Sequence, residues 1–422
     1  MRPNRPPEPD HALAARLFDI LAKETADVAG VTREAFGRGE QFAHDLVAET
    51  GREIGLEVST DAGGNLYLRL PGTGGTGRMI LAGSHLDSVP MGGNFDGAAG
   101  VLAPLAVAAG WKKAGFALAD DLVVVALRAE ESNWFPVSYP GSKMALGLLP
   151  PETLELKRSD TGRTLRDHMA ELGFDPDVIA AGTPQVDKSR IRAFVELHIE
   201  QGPTLIGADL PAAVVTGIRG SIRYREARVF GTYAHSGATP RAFRTDAVIG
   251  AADLVMRLQA DWLRLEAEGR DLTFTAGQFF TDPAQHAFSK IAGEVFVSLD
   301  LRSNDPALLE ELGPLLEERF AEVEAAHGVR IDPGPRTGST PALMDPELRE
   351  AFGSAMEDLD LPRFEMASGA GHDAATFAGA GVPSVMLFVR NANGSHNPDE
   401  AMEMDDFECA TRLLADGLAR IR

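Results

Sequence analysis

The sequence predicts an α/β protein whose main domain is discontinuous, with a smaller α+β domain inserted into it. Three observations carry that expectation. Four short apolar runs, Met79-Ile-Leu-Ala82, residues 122–127, Ala193-Phe-Val195 and Ser384–Val389, have the composition of buried parallel strands. Residues 213–333 change character, with alternating strands and two long amphipathic helices in place of apolar runs. Each apolar run also leads within a few residues to a group that can bind a cation: His85, the pair Glu130-Glu131, His198 and His396. Ligands of open α/β sheets sit outside the carboxyl ends of the strands. The first and last parts of the chain must therefore share one sheet, so the expected domains are 1–212 with 334–422, and 213–333.

The elements follow in order. Residues 11–23 have helical periodicity, and 32–54 read as a second helix. Residues 57–70 alternate as strands around the turn Asp61-Ala-Gly-Gly-Asn65, and a Gly-rich loop at 72–77 precedes the first apolar run. Asn94-Phe-Asp-Gly97 opens an Ala-rich helix running towards Gly110. In the insert, 219–230, 272–280 and 294–301 read as strands, and 245–268 and Pro306–His327 as helices. The α/β style resumes with a helix at 346–359, the Ser384–Val389 strand and a closing helix from Asp405.

With 422 residues the chain can bury two substantial cores. A formal net charge of -22 excludes the basic patches that nucleic acid demands and disfavours anionic membrane surfaces. Cys409 is the single cysteine, which excludes an intrachain disulfide and a zinc–thiolate cluster within one chain. No apolar run is long enough to span a bilayer, and the Pro-rich, polar first ten residues do not read as a signal peptide. A cytoplasmic location is expected.

In His85-Leu-Asp87, Asp87 is placed to accept a hydrogen bond from the ring nitrogen of His85 that a metal does not use. Asp96 reads either as a ligand or as a helix cap. Glu130 and Glu131, adjacent after a strongly apolar strand, would repel one another in a poorly solvated cleft unless a cation offsets them. Neighbouring side chains diverge, so one of the two can bind metal while the other faces bound water. Together His85, Asp96, Glu131, His198 and His396 form a mixed N/O set suited to two divalent ions, and zinc, manganese, cobalt and nickel all fit it. Arg302, ending an apolar strand, can grip a carboxylate or serve a surface ion pair. Gly369-Ala-Gly371 can offer N–H groups to an anion or be a plain tight turn.

At these residues the chain resembles the M20 metallopeptidase superfamily, within it the amidase branch of N-carbamoyl-L-amino acid hydrolases, allantoate amidohydrolases and β-ureidopropionases. The motifs are Gly83-Ser-His-Leu-Asp-Ser88, Gly92-Gly-Asn-Phe-Asp-Gly97, Glu130-Glu131, Glu196-Leu-His-Ile-Glu-Gln-Gly-Pro203, Ala234-His-Ser-Gly-Ala-Thr-Pro240, Ser368-Gly-Ala-Gly-His-Asp373 and Ser395-His-Asn-Pro398. The resemblance implies two metal ions per subunit, His85, Asp96 and His198 holding one and Asp96, Glu131 and His396 the other. It implies Glu130 as general base and His235 as the group that stabilises the oxyanion, reaching a partner subunit's site. It implies that Gln201, Arg302 and the backbone at Gly371 hold the substrate, and that the insert is a lid and dimerisation domain. His198 stands where the peptidases carry a carboxylate and the carbamoyl branch carries His. Ser289 stands where relatives commonly have Asn, and His286 is near enough in sequence to compensate.

The expected activity is hydrolysis of the linear C–N amide of an N-carbamoyl amino acid by a homodimer. Allantoate, ureidoglycolate or β-ureido acids are the first alternatives, a peptidase or aminoacylase the next, and a silent binding protein on the same fold the last.

Overall fold

A computed structural model describes residues 5–422. Asp10 caps helix α1 (His11–Glu24) by accepting the Leu13 N–H, and the stripe Leu13, Ala14, Leu17, Phe18 and Leu21 is buried. Helix α2 (Arg38–Glu53) begins at Arg38 instead of Thr32. Phe36 takes a left-handed φ of 51° and Gly37 is extended, so the backbone cannot be helical there. Strands β1 (Glu57–Thr60) and β2 (Leu66–Leu70) form the expected hairpin, closed by Asp61 Oδ1 on the N–H groups of Gly63 and Asn65.

The chain then lays down β3 (Met79–His85), helix α3 (Ala98–Ala114), β4 (Asp121–Leu127), β5 (Ile191–Ile199) and β6 (Ala212–Ile218). α3 is buried almost all round, which its Ala and Gly content permits. The smaller unit contributes β7 (Gly220–Phe230), β8 (Ala234–His235), α4 (Ala247–Ala267), β9 (Thr273–Thr275), β10 (Phe279–Thr281), β11 (Lys290–Ile291), β12 (Glu294–Ser303), α5 (Pro306–His327), β13 (Arg330–Asp332) and β14 (Arg336–Ser339). The chain returns with β15 (Ala342–Leu343), α6 (Pro346–Asp358), β16 (Glu365–Ser368), α7 (Asp373–Gly379), β17 (Ser384–Val389) and α8 (Met404–Leu418).

The larger unit is built on a nine-stranded sheet in the order β1-β2-β4-β3-β5-β17-β6-β15, with β16 beside β6. Its four central strands, β4, β3, β5 and β17, run parallel. These are the four apolar runs, so their carboxyl ends open on one edge. The smaller unit is an antiparallel sheet around β12 and β7. Alternate residues of β12, Val295, Val297, Leu299 and Leu301, are buried in one core with the apolar residues of α4 and α5.

The compact units divide at Gly217/Ile218 and Ala342/Leu343, not at 213 and 333. β6 pairs with β17, which keeps residues after 212 in the large sheet, while β14 pairs with β7 and keeps 336–339 in the small one. Among the described residues no helix is long and apolar enough to cross a membrane.

Candidate metal centre

Each central strand delivers its group where parallel strands end. His85 is the last residue of β3, and His198 the penultimate residue of β5. Glu130 and Glu131 follow β4, and His396 lies in the loop after β17. Asp96 precedes Gly97 at the start of α3. Gly97 has φ 67°, and a Cβ there would collide with the His85 ring, so the Asp96–His85 approach depends on glycine.

Two groups of potential ligands result: His85, Asp96 and His198, and Asp96, Glu131 and His396, the donor atoms of each lying within 4.8 Å of one another. Asp96 belongs to both. Its Oδ1 lies 3.6 Å from His85 Nε2 and 3.2 Å from His198 Nε2, and its Oδ2 lies 3.5 Å from His396 Nε2. His396 Nε2 is also 3.3 Å from Glu131 Oε1. Glu130 Oε2 stands 3.9 Å from His85 Nε2. His85, Asp96, Glu131 and His198 are buried, whereas the His396 side chain is 49% exposed.

The electrostatics follow from this crowding. Burial drives the His85 imidazole down, but the Asp87 and Asp96 carboxylates outweigh it and hold it well above the usual histidine range. His198 is raised as well, burial being overcome by Asp96. Glu131 lifts His396 to about 9. Burial pushes Glu130 well above the usual carboxylate range, with His85 opposing and Glu131 reinforcing it. The upward shifts mark imidazoles crowded by carboxylates, the places that cations would take. His198 Nε2 is buried without a hydrogen bond among the described residues, although it faces Asp96. An orphaned ring nitrogen amid three imidazoles and two carboxylates fits divalent ions.

Supporting contacts fix the ligands. Asp87 lies beside His85, its Oδ1 3.2 Å from Nδ1, and its two oxygens accept the N–H groups of Glu130 and Glu131 at 3.0 Å each. The His372 ring packs 4.4 Å from the His198 ring while its Nε2 meets Ser368 Oγ. Glu400, absent from the sequence reading, accepts the Phe95 and Asp96 N–H groups, and Ser395 Oγ binds both Glu400 and Asp96. Its position two residues past the His-Asn-Pro segment is the only signal that could have drawn attention to it. Arg33, fully buried, bonds to the carbonyls of Leu86, Asn94 and Asp96, holding the loop between β3 and α3. Three residues of the region, Ala129, Gln201 and His396, have φ of 55°, 62° and 60°. Left-handed backbone at a non-glycine costs on the order of 1 kcal/mol each.

The expected substrate residues divide between the units. In the larger one, Gln201 donates from Nε2 to Asp96 Oδ2 at 2.8 Å, and its Oε1 is buried without a partner among the described residues. Gly371 lies in the turn between β16 and α7, where a Cβ would strike Tyr139 Oη. In the smaller one, β8 pairs with β11, setting His235 opposite Lys290, and the Ser289 carbonyl accepts the Ser236 N–H. His235 is exposed, and its Nδ1 accepts the N–H groups of Gly237 and Ala238 at 3.2 and 3.1 Å. That assigns the ring proton to Nε2, leaving an outward donor. Arg302 is 2.8 Å from Asp300 Oδ2, and His286 Nδ1 meets Thr281 Oγ1 at 3.2 Å.

Residues 81–420 match peptidase family M20/M25/M40. Over 403 residues, 94% of this chain and 95% of the relative, the chain is 35% identical to an N-carbamoyl-L-amino acid amidohydrolase of Geobacillus stearothermophilus. It is 32% identical over 394 residues to an allantoate amidohydrolase of Bacillus subtilis strain 168, covering 93% of each. A solved amidase of the hydantoinase/carbamoylase family from Burkholderia multivorans matches with a TM-score of 0.88 and 29% identity across 98% of both chains.

Proposed function

The chain belongs to peptidase family M20/M25/M40 and is a hydrolase of linear, non-peptide C–N bonds; from that premise we propose that it cleaves the carbamoyl group from an N-carbamoyl amino acid. The products are the amino acid, ammonia and carbon dioxide. The observation that carries this reading is Asp96 shared between two groups of potential ligands, with Glu130 beside them, 3.9 Å from His85 and a member of neither group.

We assign His85, Asp96 and His198 to one divalent ion and Asp96, Glu131 and His396 to a second, zinc or manganese, with cobalt and nickel also accommodated. Bound ions supply Lewis-acid polarisation of the carbamoyl oxygen and render water acidic enough to deprotonate near neutral pH. Glu130 takes the proton of the attacking water and delivers it to the leaving nitrogen, a role suited to a carboxyl that burial has raised. His235 donates from Nε2 to the oxyanion, an interaction commonly worth about 3 kcal/mol per donor. Arg302 pairs with the substrate carboxylate, exchanging its Asp300 partner, and the N–H groups around Gly371 assist. Gln201 has its amide N–H committed to Asp96, so its spare Oε1 is an acceptor for a carbamoyl NH2, a donor that an N-acetyl group lacks.

The insert would serve as lid and dimerisation domain. Its helix α4 presents Ile249, Met256 and Leu263 to solvent at 53%, 63% and 57% exposure. Their seven-residue spacing makes an apolar seam that a second copy can meet across a two-fold axis. Met256→Asp should convert a dimer to a monomer in sedimentation velocity; an unchanged sedimentation coefficient removes this face from the interface.

A substrate panel tests the reaction. With Mn²⁺ or Zn²⁺ added, turnover should be greatest on N-carbamoyl α-amino acids, lower on N-carbamoyl-β-alanine, and lowest on dipeptides and N-acetyl amino acids. Allantoate is the second reading, favoured by the 32% identity to the Bacillus subtilis relative, and a preference for it would replace the first.

A further inference from the structure

We propose that Glu40 is a positioning residue for the reaction: from helix α2 its carboxylate locks the left-handed elbow at Ala129 that aims Glu130 and Glu131. This inference rests on the roles just assigned to those two residues. Glu40 is wholly buried, 88 or more residues distant in sequence from everything it holds except Phe36. Its Oε1 accepts the Ala129 N–H at 2.8 Å. Its Oε2 accepts the Phe36 N–H at 2.6 Å and Arg128 Nη1 at 2.9 Å. Arg128 is buried too, and also donates to Gly64 O and Gln41 Oε1. Its backbone N–H goes to Asn65 Oδ1.

Three consecutive backbone donors after β4 are thus each held by a carboxylate: Ala129 by Glu40, and Glu130 and Glu131 by Asp87. Asp87 alone fixes the two N–H groups but not the direction in which the strand enters the turn. A left-handed residue with a Cβ relaxes toward the ordinary regions unless its surroundings over-determine it. The Ala129 N–H bond to Glu40 supplies that restraint. Burial raises the Glu40 carboxyl above its ordinary range, and the Arg128 guanidinium opposes that shift, so the two buried charges are offset as a pair with three N–H donors on the carboxylate. Glu40 touches neither ligand nor base directly; it acts through the backbone that bears them.

The experiment compares holoenzyme variants Glu40→Gln, Glu40→Met and the double variant Glu40→Met/Arg128→Met with Glu130→Gln as reference. The readouts are kcat, KM, zinc affinity by competition with a chromophoric chelator, and thermal midpoint. A glutamine has one acceptor oxygen for donors that now share two, so kcat should fall roughly 10–100-fold and zinc affinity roughly 10-fold, with KM little changed. The double variant removes the buried charges together and should recover most of the thermal midpoint lost in Glu40→Met, because paired apolar replacement is tolerated. Its kcat and zinc affinity should stay low, since nothing accepts the Ala129 N–H. Wild-type kcat and zinc affinity in Glu40→Gln, or recovery of both alongside the thermal midpoint in the double variant, would overturn the proposal. Undiminished turnover of Glu130→Gln would instead overturn the base assignment beneath it.

Discussion

The two units place their polar side chains in opposite ways. In the larger unit His85, Asp96, Glu131 and His198 are buried at the end of a parallel sheet, and each is held by further buried groups. In the smaller unit His235 and Ser289 are exposed on a two-stranded ribbon, and Arg302 is only half-buried beside Asp300. Burial strengthens electrostatics and demands full pairing, which suits groups that must hold cations and shift pKa values. Exposure leaves side chains free to exchange partners, which suits recognition. The buried carboxylate–imidazole cluster thus belongs to the larger unit, and the smaller unit carries side chains exposed enough to change partners.

The largest effect expected from that division lies at Glu130. Glu130→Gln should lower kcat by roughly 10²–10⁴-fold while both ions are retained, measured by kinetics alongside metal analysis. If ions were lost with the activity, Glu130 would belong among the ligands and the contrast between base and ligand would break. Arg302→Ala should come next, raising KM for carboxylate-bearing substrates by about 10–100-fold with kcat little altered. Equal losses in kcat would place Arg302 with the chemistry instead of recognition.

The smallest effect sharpens the energetic side. Burial, with the Glu196 carboxylate beside it, pushes Asp373 up to about 7 from an ordinary value of 3.8. An acid raised on folding binds its proton more tightly folded than unfolded. Stability is thus lost as pH rises from the ordinary value through 7, and the penalty is absent below that window. Asp373→Asn should consequently stabilise the metal-free protein above pH 7, on the order of 1–2 kcal/mol, with the gain vanishing at about pH 4. Denaturant titrations across that range decide it. A pH-independent difference would mean that Asp373 acts through packing and not through its charge.

Much of this was legible before folding, because the relevant signals are local. Apolar runs marked β3, β4, β5 and β17, and the polar residues just beyond them marked the groups that the fold gathers at one sheet edge. Alternation in 219–230 and 294–301 marked the small sheet. Other features were not legible because they are pairings between distant segments. The start of α2 depends on Phe36 turning left-handed, and the unit boundary depends on β14 choosing β7 as its neighbour. Gln201 read as a substrate residue by resemblance, yet the fold sets its amide on Asp96.

Residue identity alone determined which elements form, which residue types stand at strand ends, and that donors suited to a metal ion stand there. It could do so because hydrophobic periodicity and strand-end placement are properties of neighbouring residues. Tertiary structure alone decided that Asp96 faces both ligand groups, that His235 carries its proton outward, and that Glu40 and Arg128 meet beneath the Ala129 turn. Those outcomes depend on angles and distances across dozens of residues. They exist only once the sheet has chosen its strand order and the helices have docked upon it.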